Sequence, residues 1–295
     1  MKSLVQQARE LALKCQYDKA IGMLQPLLNS NKPEEKLEAE YQISYIYVLM
    51  GEWDKGEEKL KSVIEESLSC GLTEIAGKCY VELGRIYERR GKILDAIEHY
   101  RKGLKIFKET ENLFEQARTL NNIGALYGEL YYQEEATIYF SQALAIAQTL
   151  NDKRLLAYTN INMASKFLKF NQAKDAESHL VEAFRLFREL GEVKMFAPCY
   201  YFLSKFYYLT GDERMREKMS SKAIKLAEEN NDKYVLSIIY EFLVEVYEKA
   251  GEKIKTRENL IKAIEYNKAL KNERRVAELE KKLIELNYMA GKPIV

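Results

Sequence analysis

Apolar residues recur along this chain at spacings of three and four, separated by charged residues, which is the period of one-sided helices. The clearest run is Leu120, Ile123, Gly124 and Tyr127, followed by Ala136, Phe140 and Ala143. The spacing predicts two amphipathic helices joined by a few residues. Gly124 marks where the two cross closely, and Tyr127 is the bulky neighbour on the same face. Such a pair cannot bury its apolar faces alone, so it needs neighbours of its own kind.

Those neighbours stand at a fixed step. Moving forward by 40 residues from Gly124 gives Ala164, Ser204 and Val244; moving back gives Gly84 and Ser44, then Ala8 after a step of 36. Three positions past each small residue comes Leu11, Tyr47, Tyr87, Tyr127, Phe167, Tyr207 or Tyr247. A second-helix column reads Ala20, Gly56, Ala96, Ala136, Ala176, Arg216, Thr256. Four residues on, the next reads Leu24, Leu60, Tyr100, Phe140, Leu180, Ser220, Leu260. The breaks keep the same phase. Gly51, Gly91, Gly211 and Gly251 fall between the helices of their copies, matched by Cys15, Tyr131 and Asn171, where a left-handed residue can end a helix. Glu111-Asn112, Asn151-Asp152, Gly191-Glu192, Asn231-Asp232 and Lys271-Asn272 separate successive copies with turn and N-cap residue types.

The expected fold is all-α: a right-handed α-solenoid of stacked antiparallel helix pairs. Seven hairpins occupy residues 1–271, and a capping helix with a short frayed tail occupies 272–295. In that last helix Val276, Leu279, Leu283, Ile284 and Leu286 form an apolar stripe, opposite Glu278, Glu280, Lys281, Lys282 and Glu285. A dimer-forming helix is the other use of such a stripe. Gln7 replaces an apolar core residue, which makes the first copy the opposite cap.

The columns resemble the tetratricopeptide repeat, which pairs an aromatic-x-x-Leu-Gly-x-x-Tyr helix with an Ala-x-x-x-Phe-x-x-Ala helix. Tyr80, Leu83, Gly84 and Tyr87 with Ala96, Tyr100 and Gly103 match it, as do Leu120, Ile123, Gly124 and Tyr127 with Ala136, Phe140 and Ala143. The family's usual period is about 34. The period of 40 here lengthens each helix pair by roughly 9 Å at about 1.5 Å per residue. The chain is therefore similar to the long-repeat branch, with the kinesin light chains, the G-protein-signalling modulators and the bacterial Rap-type regulators. The resemblance runs to about residue 270. It fades in copies 6 and 7, where Arg216, Thr256 and Ser220 replace the small and aromatic types; those hairpins should pack less tightly or present polar groups for a purpose.

Length alone, 295 residues, would suggest two globular domains, but a repeat array grows without splitting into cores, so one domain is expected. The chain is 47% hydrophobic and 31% charged with little Gly or Pro, which suits long helices. Its net charge of +1 provides no field for nucleic acid or an anionic membrane. Cys15, Cys70, Cys79 and Cys199 form no CxxC pair, so buried thiols in a reducing compartment are expected rather than zinc or disulfides. No apolar run approaches about 18 residues, and the first residues lack a signal-peptide core, so a cytoplasmic protein without a membrane partner is expected.

No catalytic constellation stands out, and no enzyme activity, metal or cofactor is expected. The two histidines, His99 and His179, occupy equivalent positions two copies apart, roughly 40 Å at about 10 Å per packed helix, so they cannot share a site. What remains is surface. The resemblance implies that first helices line a concave groove, faced by the residue two before the small position: Gln6, Gln42, Glu82, Asn122, Asn162, Phe202 and Phe242. An Asn side chain both donates and accepts, so it can hold the backbone of an extended peptide whatever its sequence. Asn122-Ile123-Gly124 and Asn162-Met163-Ala164 match the Asn-Leu-Gly and Asn-Leu-Ala contexts of the long-repeat relatives. Flanking residues add Tyr41, Tyr45, Arg85, Arg89, Arg118, Asn121 and Tyr158, of which Arg and Tyr are interface-anchoring types. The candidate binding residues are thus Gln42, Tyr45, Glu82, Arg85, Arg89, Arg118, Asn121, Asn122, Tyr158 and Asn162. Two alternatives stay open: the amides bond neighbouring helices, and the arginines pair within their helices with Glu82 and Glu88.

The groove should be basic and amide-rich in copies 3–5 and turn aromatic and acidic in copies 6 and 7, with surplus rings at Tyr200-Tyr201-Phe202 and Phe206-Tyr207-Tyr208 and a ridge of Glu241, Glu245 and Glu248. The expected function is a non-catalytic adaptor, monomeric or homodimeric, that binds a peptide or helix of a partner protein. The alternative is a Rap-type regulator whose solenoid changes shape on binding a signalling peptide. The Rap-type proteins carry a helical bundle ahead of their repeats, and its absence here ranks the adaptor first.

Overall fold

The structure, a computed structural model, describes residues 4–270 and 272–289. These residues form fifteen α-helices and one short 3₁₀ turn, with no strand among them. They divide into two compact units, Met1–Leu155 and Leu156–Val295.

The first unit holds α1 (Leu4–Leu13) and α2 (Tyr17–Leu28), α3 (Pro33–Met50) and α4 (Trp53–Ser69), α5 (Thr73–Arg89) and α6 (Ile93–Glu109), and α7 (Leu113–Glu129) and α8 (Gln133–Thr149). Within each pair the helices pack antiparallel, and α2, α4 and α6 each pack on the first helix of the following pair. In addition α3 touches both α1 and α5 directly, so first helices lie side by side in one layer. The crossing points follow the small-residue column. Gly84 faces the Tyr100 ring and Gly124 faces the Phe140 ring, each ring fully buried. A second close approach, which the columns did not single out, sets Gly103 against the Gly77 carbonyl and Gly77 against Phe107.

The second unit takes most of α9 (Lys153–Lys169), then α10 (Ala173–Glu189), the 3₁₀ turn Val193–Met195, α11 (Phe196–Thr210), α12 (Glu213–Glu229), α13 (Lys233–Lys249), α14 (Lys253–Ala269) and α15 (Glu273–Met289). Here α11 touches α13 directly, again placing first helices in one layer. Arg216, Ser220 and Thr256 present nothing outward. They are 1%, 4% and 1% exposed, so the polar departures from the repeat pattern sit inside the packing. The Ser204 and Ser220 hydroxyls lie 2.6 Å apart and 3.1 and 3.0 Å from the Arg216 carbonyl, so one hydroxyl donates to the other and the second donates to the carbonyl. The Thr256 hydroxyl bonds the Glu252 carbonyl at 3.0 Å. Small hydroxyls satisfied by the helix backbone thus stand in for the glycine and the ring. The apolar stripe of α15 packs through Val276, Leu279, Leu283 and Leu286 on Val244, Leu260, Ala263 and Ile264, whereas Ile284 is exposed and lies off the stripe. The tail from residue 290 onward and Lys271 lie outside the described residues.

The breaks are left-handed where the periodicity placed them. Gly51, Gly91, Gly211 and Gly251 have positive φ, as do Cys15, Tyr131 and Asn171 at the matching positions and Glu111, Asn151, Gly191 and Asn231 between copies. At these turns the next N–H reaches back to the last helical turn, as Asn112 N does to the Phe107 carbonyl at 3.0 Å. Cys15 and Cys70 sit at such helix ends and are exposed, contrary to the expectation of buried thiols; only Cys79 and Cys199 are buried. Glu111 holds φ of 54° with its side chain in solvent. A side chain in this region costs about 1–2 kcal/mol, partly offset by the extra freedom glycine loses on folding. Glu111→Gly is therefore expected to stabilise the protein by about 0.5–1 kcal/mol, visible as a higher urea midpoint. An unchanged or lower midpoint would show that the turn is not strained.

Candidate functional site

In the first unit, the first-helix face begins with a chain of polar contacts between α3 and α5. Gln42 is buried and donates to Glu38 at 2.8 Å, and Glu38 also takes the Lys78 ammonium at 3.1 Å. Lys78 lies over the Tyr41 ring at 5.8 Å, and Arg9 lies over the Tyr45 ring at 5.5 Å. Glu82 is 2% exposed, and Arg85 reaches both its carboxylate oxygens, at 3.1 and 3.3 Å. The Glu82 charge raises the Arg85 pKa. Arg118 forks onto Glu115 at 2.9 and 3.0 Å and lies over Phe114 at 5.8 Å.

These pairings revise the basic character expected of the face. Glu82 and Glu115 stand three residues before Arg85 and Arg118, on the same helix side, and neutralise them. Glu88 accepts the Tyr100 hydroxyl at 2.7 Å instead of pairing an arginine. Arg89 is exposed with no carboxylate on it among the described residues.

The amides behave differently. On α7 the Asn121 oxygen is buried without a donor among the described residues. Asn122, one residue on, is half-buried, and its side chain makes no hydrogen bond to any described residue. In the second unit, Asn162 of α9 is likewise half-buried with no side-chain partner among the described residues. The alternative that these two amides serve to bond a neighbouring helix finds no such bond. Tyr158, one turn before Asn162, packs edge-on against Phe187 at 5.2 Å.

The remaining first helices of the second unit depart from the expected acidic ridge. Glu241 is held by Arg275 of α15 at 2.7 Å and by Asn267 at 2.8 Å. Glu248 takes Lys282 of α15 at 2.6 Å, and Glu245 takes Lys249 at 2.8 Å. Arg275 and Lys282 repeat the seven-residue spacing of Glu241 and Glu248, with Leu279 and Val244 packed between. The ridge is thus the seam on which α15 docks. The rings gather instead around a cation that the sequence reading passed over. Lys205 of α11 lies over Tyr201 at 5.7 Å and over Phe242 of α13 at 5.9 Å. Burial lowers its pKa, with the Glu245 charge opposing. The signal was one helical turn: Tyr201 stands four residues before Lys205.

Both histidines belong to packing. His99 stacks on Tyr87 at 4.9 Å, while His179 stacks on Phe167 at 5.6 Å and bonds Asn160 at 2.7 Å. Among the described residues no group of three or more His, Cys, Asp or Glu is placed to hold a metal ion. No helix among them is long and apolar enough to cross a membrane.

Comparison with known proteins fits this geometry. Residues 78–149 match the family model described as tetratricopeptide repeat, and residues 211–250 match that of anaphase-promoting complex subunit 5. A stretch of 134 residues is 28% identical to outer dynein arm-docking complex subunit 4 of Danio rerio, covering 45% of this chain and 27% of that protein. The match therefore spans about a quarter of that relative's length. Among solved structures, the apo form of RapI superposes with a TM-score of 0.75 at 14% identity, over 91% of this chain and 98% of that one. A Rap protein complexed with competence and sporulation factor gives a TM-score of 0.65 at 14% identity, over 97% and 85%. At such identities these likenesses concern the fold.

Proposed function

We propose that this chain, a tetratricopeptide-repeat protein of the long-repeat type, is a non-catalytic adaptor that binds a peptide or helix of a partner protein on its first-helix face. A cytoplasmic setting belongs to this reading. The carrying observation is that Asn122 and Asn162, at equivalent repeat positions, leave their amide groups unbonded among the described residues. A half-buried amide gives up some hydration, and the backbone N–H and C=O of an extended peptide restore it from both sides. Arg89 and the unpartnered Asn121 oxygen extend the same face of the first unit. Gln42, Glu82, Arg85 and Arg118 have their polar groups engaged by neighbours, so in this reading they shape the face of the first unit, where Asn121 and Asn122 make the contacts, and Asn162 makes its own on the second unit.

Selection of a random-peptide display library on the purified chain tests this. Peptides are expected to enrich, and Asn122→Ala/Asn162→Ala is expected to weaken their binding roughly tenfold or more at unchanged melting temperature, since a lost hydrogen bond costs about 1 kcal/mol. Equal affinity for the variant would remove the amide role. Failure of any peptide to enrich would remove the reading itself.

A second reading, a peptide-responsive regulator, is favoured by the superposition on RapI along nearly all of that chain. The enriched peptides separate the two by small-angle scattering. A regulator compacts when the peptide binds, whereas an adaptor keeps its dimensions.

A further inference from the structure

Pro198 is the third residue of α11, and in a regular helix its ring would clash with the Lys194 carbonyl four residues back. The chain therefore enters through the 3₁₀ turn Val193–Met195, and α11 begins at Phe196, three residues later in phase than α9 and α13. Phe184 of α10 packs on this entry, stacked on Phe196 and edge-on to Tyr200, both at 5.3 Å. Leu203 is left half-buried, whereas Ile43, Leu83, Ile123, Met163 and Leu243 at the same repeat position are buried. An open cavity of about 460 Å³ lies here, walled by Leu180, Phe184, Tyr200 and Leu203. Val181, 62% exposed, and Arg185 and Arg188 complete its lining. Arg185 is held by Glu182 and Glu189. Arg188 is not: among the described residues no carboxylate comes within salt-bridge distance of it, nor of Lys222, whose ammonium lies over the Tyr200 ring at 5.1 Å. An apolar cavity of this size with a few polar groups at its edge has the makeup of a small-molecule site. A guanidinium without a counter-charge is a fork for a carboxylate, and the cation beside Tyr200 adds to the same field.

We propose that the cavity between α10 and α11 binds a small carboxylate with an apolar body, of the medium-chain fatty acid class. The body lies among Leu180, Phe184, Tyr200 and Leu203, and the carboxylate pairs with Arg188. None of these residues belongs to the peptide-binding set, so the site stands whether or not the first-helix face binds a peptide.

Calorimetric titration of the full chain with straight-chain carboxylates from butanoate to decanoate, kept below micelle formation, tests this. One saturable site is expected, with affinity rising roughly threefold to fourfold per added methylene. Decanoate is expected to bind roughly tenfold tighter than decanol, the value of one charge-assisted pair. Arg188→Gln is expected to bring decanoate down to the level of decanol and to leave decanol unchanged, while Arg188→Lys keeps decanoate ahead. Val181→Glu, which sets a like charge in the lining, is expected to weaken decanoate more than decanol. Both positions are exposed, so melting temperatures should not move. Absence of saturable decanoate binding, equal affinity for decanoate and decanol, or unchanged affinity in Arg188→Gln would overturn the site. Affinity that ignores chain length would show surface ion pairing alone and would overturn it too. Loss of library-selected peptides, but not of decanoate, on Val181→Glu would reassign the cavity to a partner's side chain and overturn the small-molecule proposal.

Discussion

Replacing Gly84 by alanine is expected to lower the stability of the first unit by about 1–2 kcal/mol, although alanine is the better helix former. A Cβ at this position would stand 2.6 Å from two carbons of the Tyr100 ring and 3.0 Å from a third. Tyr100 is fully buried, and its hydroxyl is tied to Glu88 at 2.7 Å, so the ring cannot swing aside without breaking that bond. Overpacking of this kind costs about 1–3 kcal/mol, and the contact here is at the severe end. The gain in helix propensity, about 1 kcal/mol, is subtracted from it. Gly124→Ala, whose Cβ would meet Phe140 at 3.0 Å, should cost less. Gly22→Ala has nothing within 4 Å and should stabilise α2 by the propensity term. Urea midpoints of the three variants give the order directly. If Gly84→Ala matched Gly22→Ala, the Gly84–Tyr100 crossing would not be close-packed in solution.

That crossing was legible in the sequence because it depends on spacing alone. A small residue and a bulky one three later recur with the 40-residue step, and the facing position on the partner helix holds a ring in copies 3 and 4, Tyr100 and Phe140. The left-handed breaks were legible for the same reason, even where Cys15, Tyr131 and Asn171 replaced glycine, since their phase and not their residue type placed them. The candidate site was legible only in outline. The face on which Arg85 and Arg118 lie follows from the period, but whether they point to a partner or to Glu82 and Glu115 is decided between side chains three apart on that same face. Glu241 and Glu248 read as an open ridge because their partners, Arg275 and Lys282, lie 34 residues away on α15. Lys205 was passed over because its enclosure needs Phe242 from another helix. Long-range pairing of charges is what periodicity does not encode.

Arg216 is the sharpest case, and its replacement by methionine is expected to stabilise the protein by about 1–3 kcal/mol. The side chain is 1% exposed where the repeat calls for a small residue. Its Nη2 reaches Glu213 at 3.2 Å and Glu217 at 3.3 Å, but those carboxylates are 71% and 55% exposed. Pairs with solvated carboxylates contribute only about 0–1 kcal/mol. Nε and Nη1 are buried with no partner among the described residues, so they lose hydration without replacement. The Tyr247 ring, 5.4 Å from the guanidinium, returns about 0.5–2 kcal/mol. The desolvation of a buried charge, several kcal/mol, exceeds these gains together. Methionine fills comparable length without charge, and Glu213 and Glu217 stay in water, so the change orphans no buried ion. Arg216→Ala should gain less, because it leaves a void beside Tyr247. Arg216→Glu should lose more than about 3 kcal/mol, since it buries a carboxylate beside Glu213 and Glu217. Calorimetric melting temperatures should therefore rank methionine above alanine and alanine above glutamate, with methionine above the wild type. A melting temperature for Arg216→Met below the wild type would mean that the contact with Tyr247 outweighs the desolvation, and that hairpin α11–α12 is held to α13 by its buried cation.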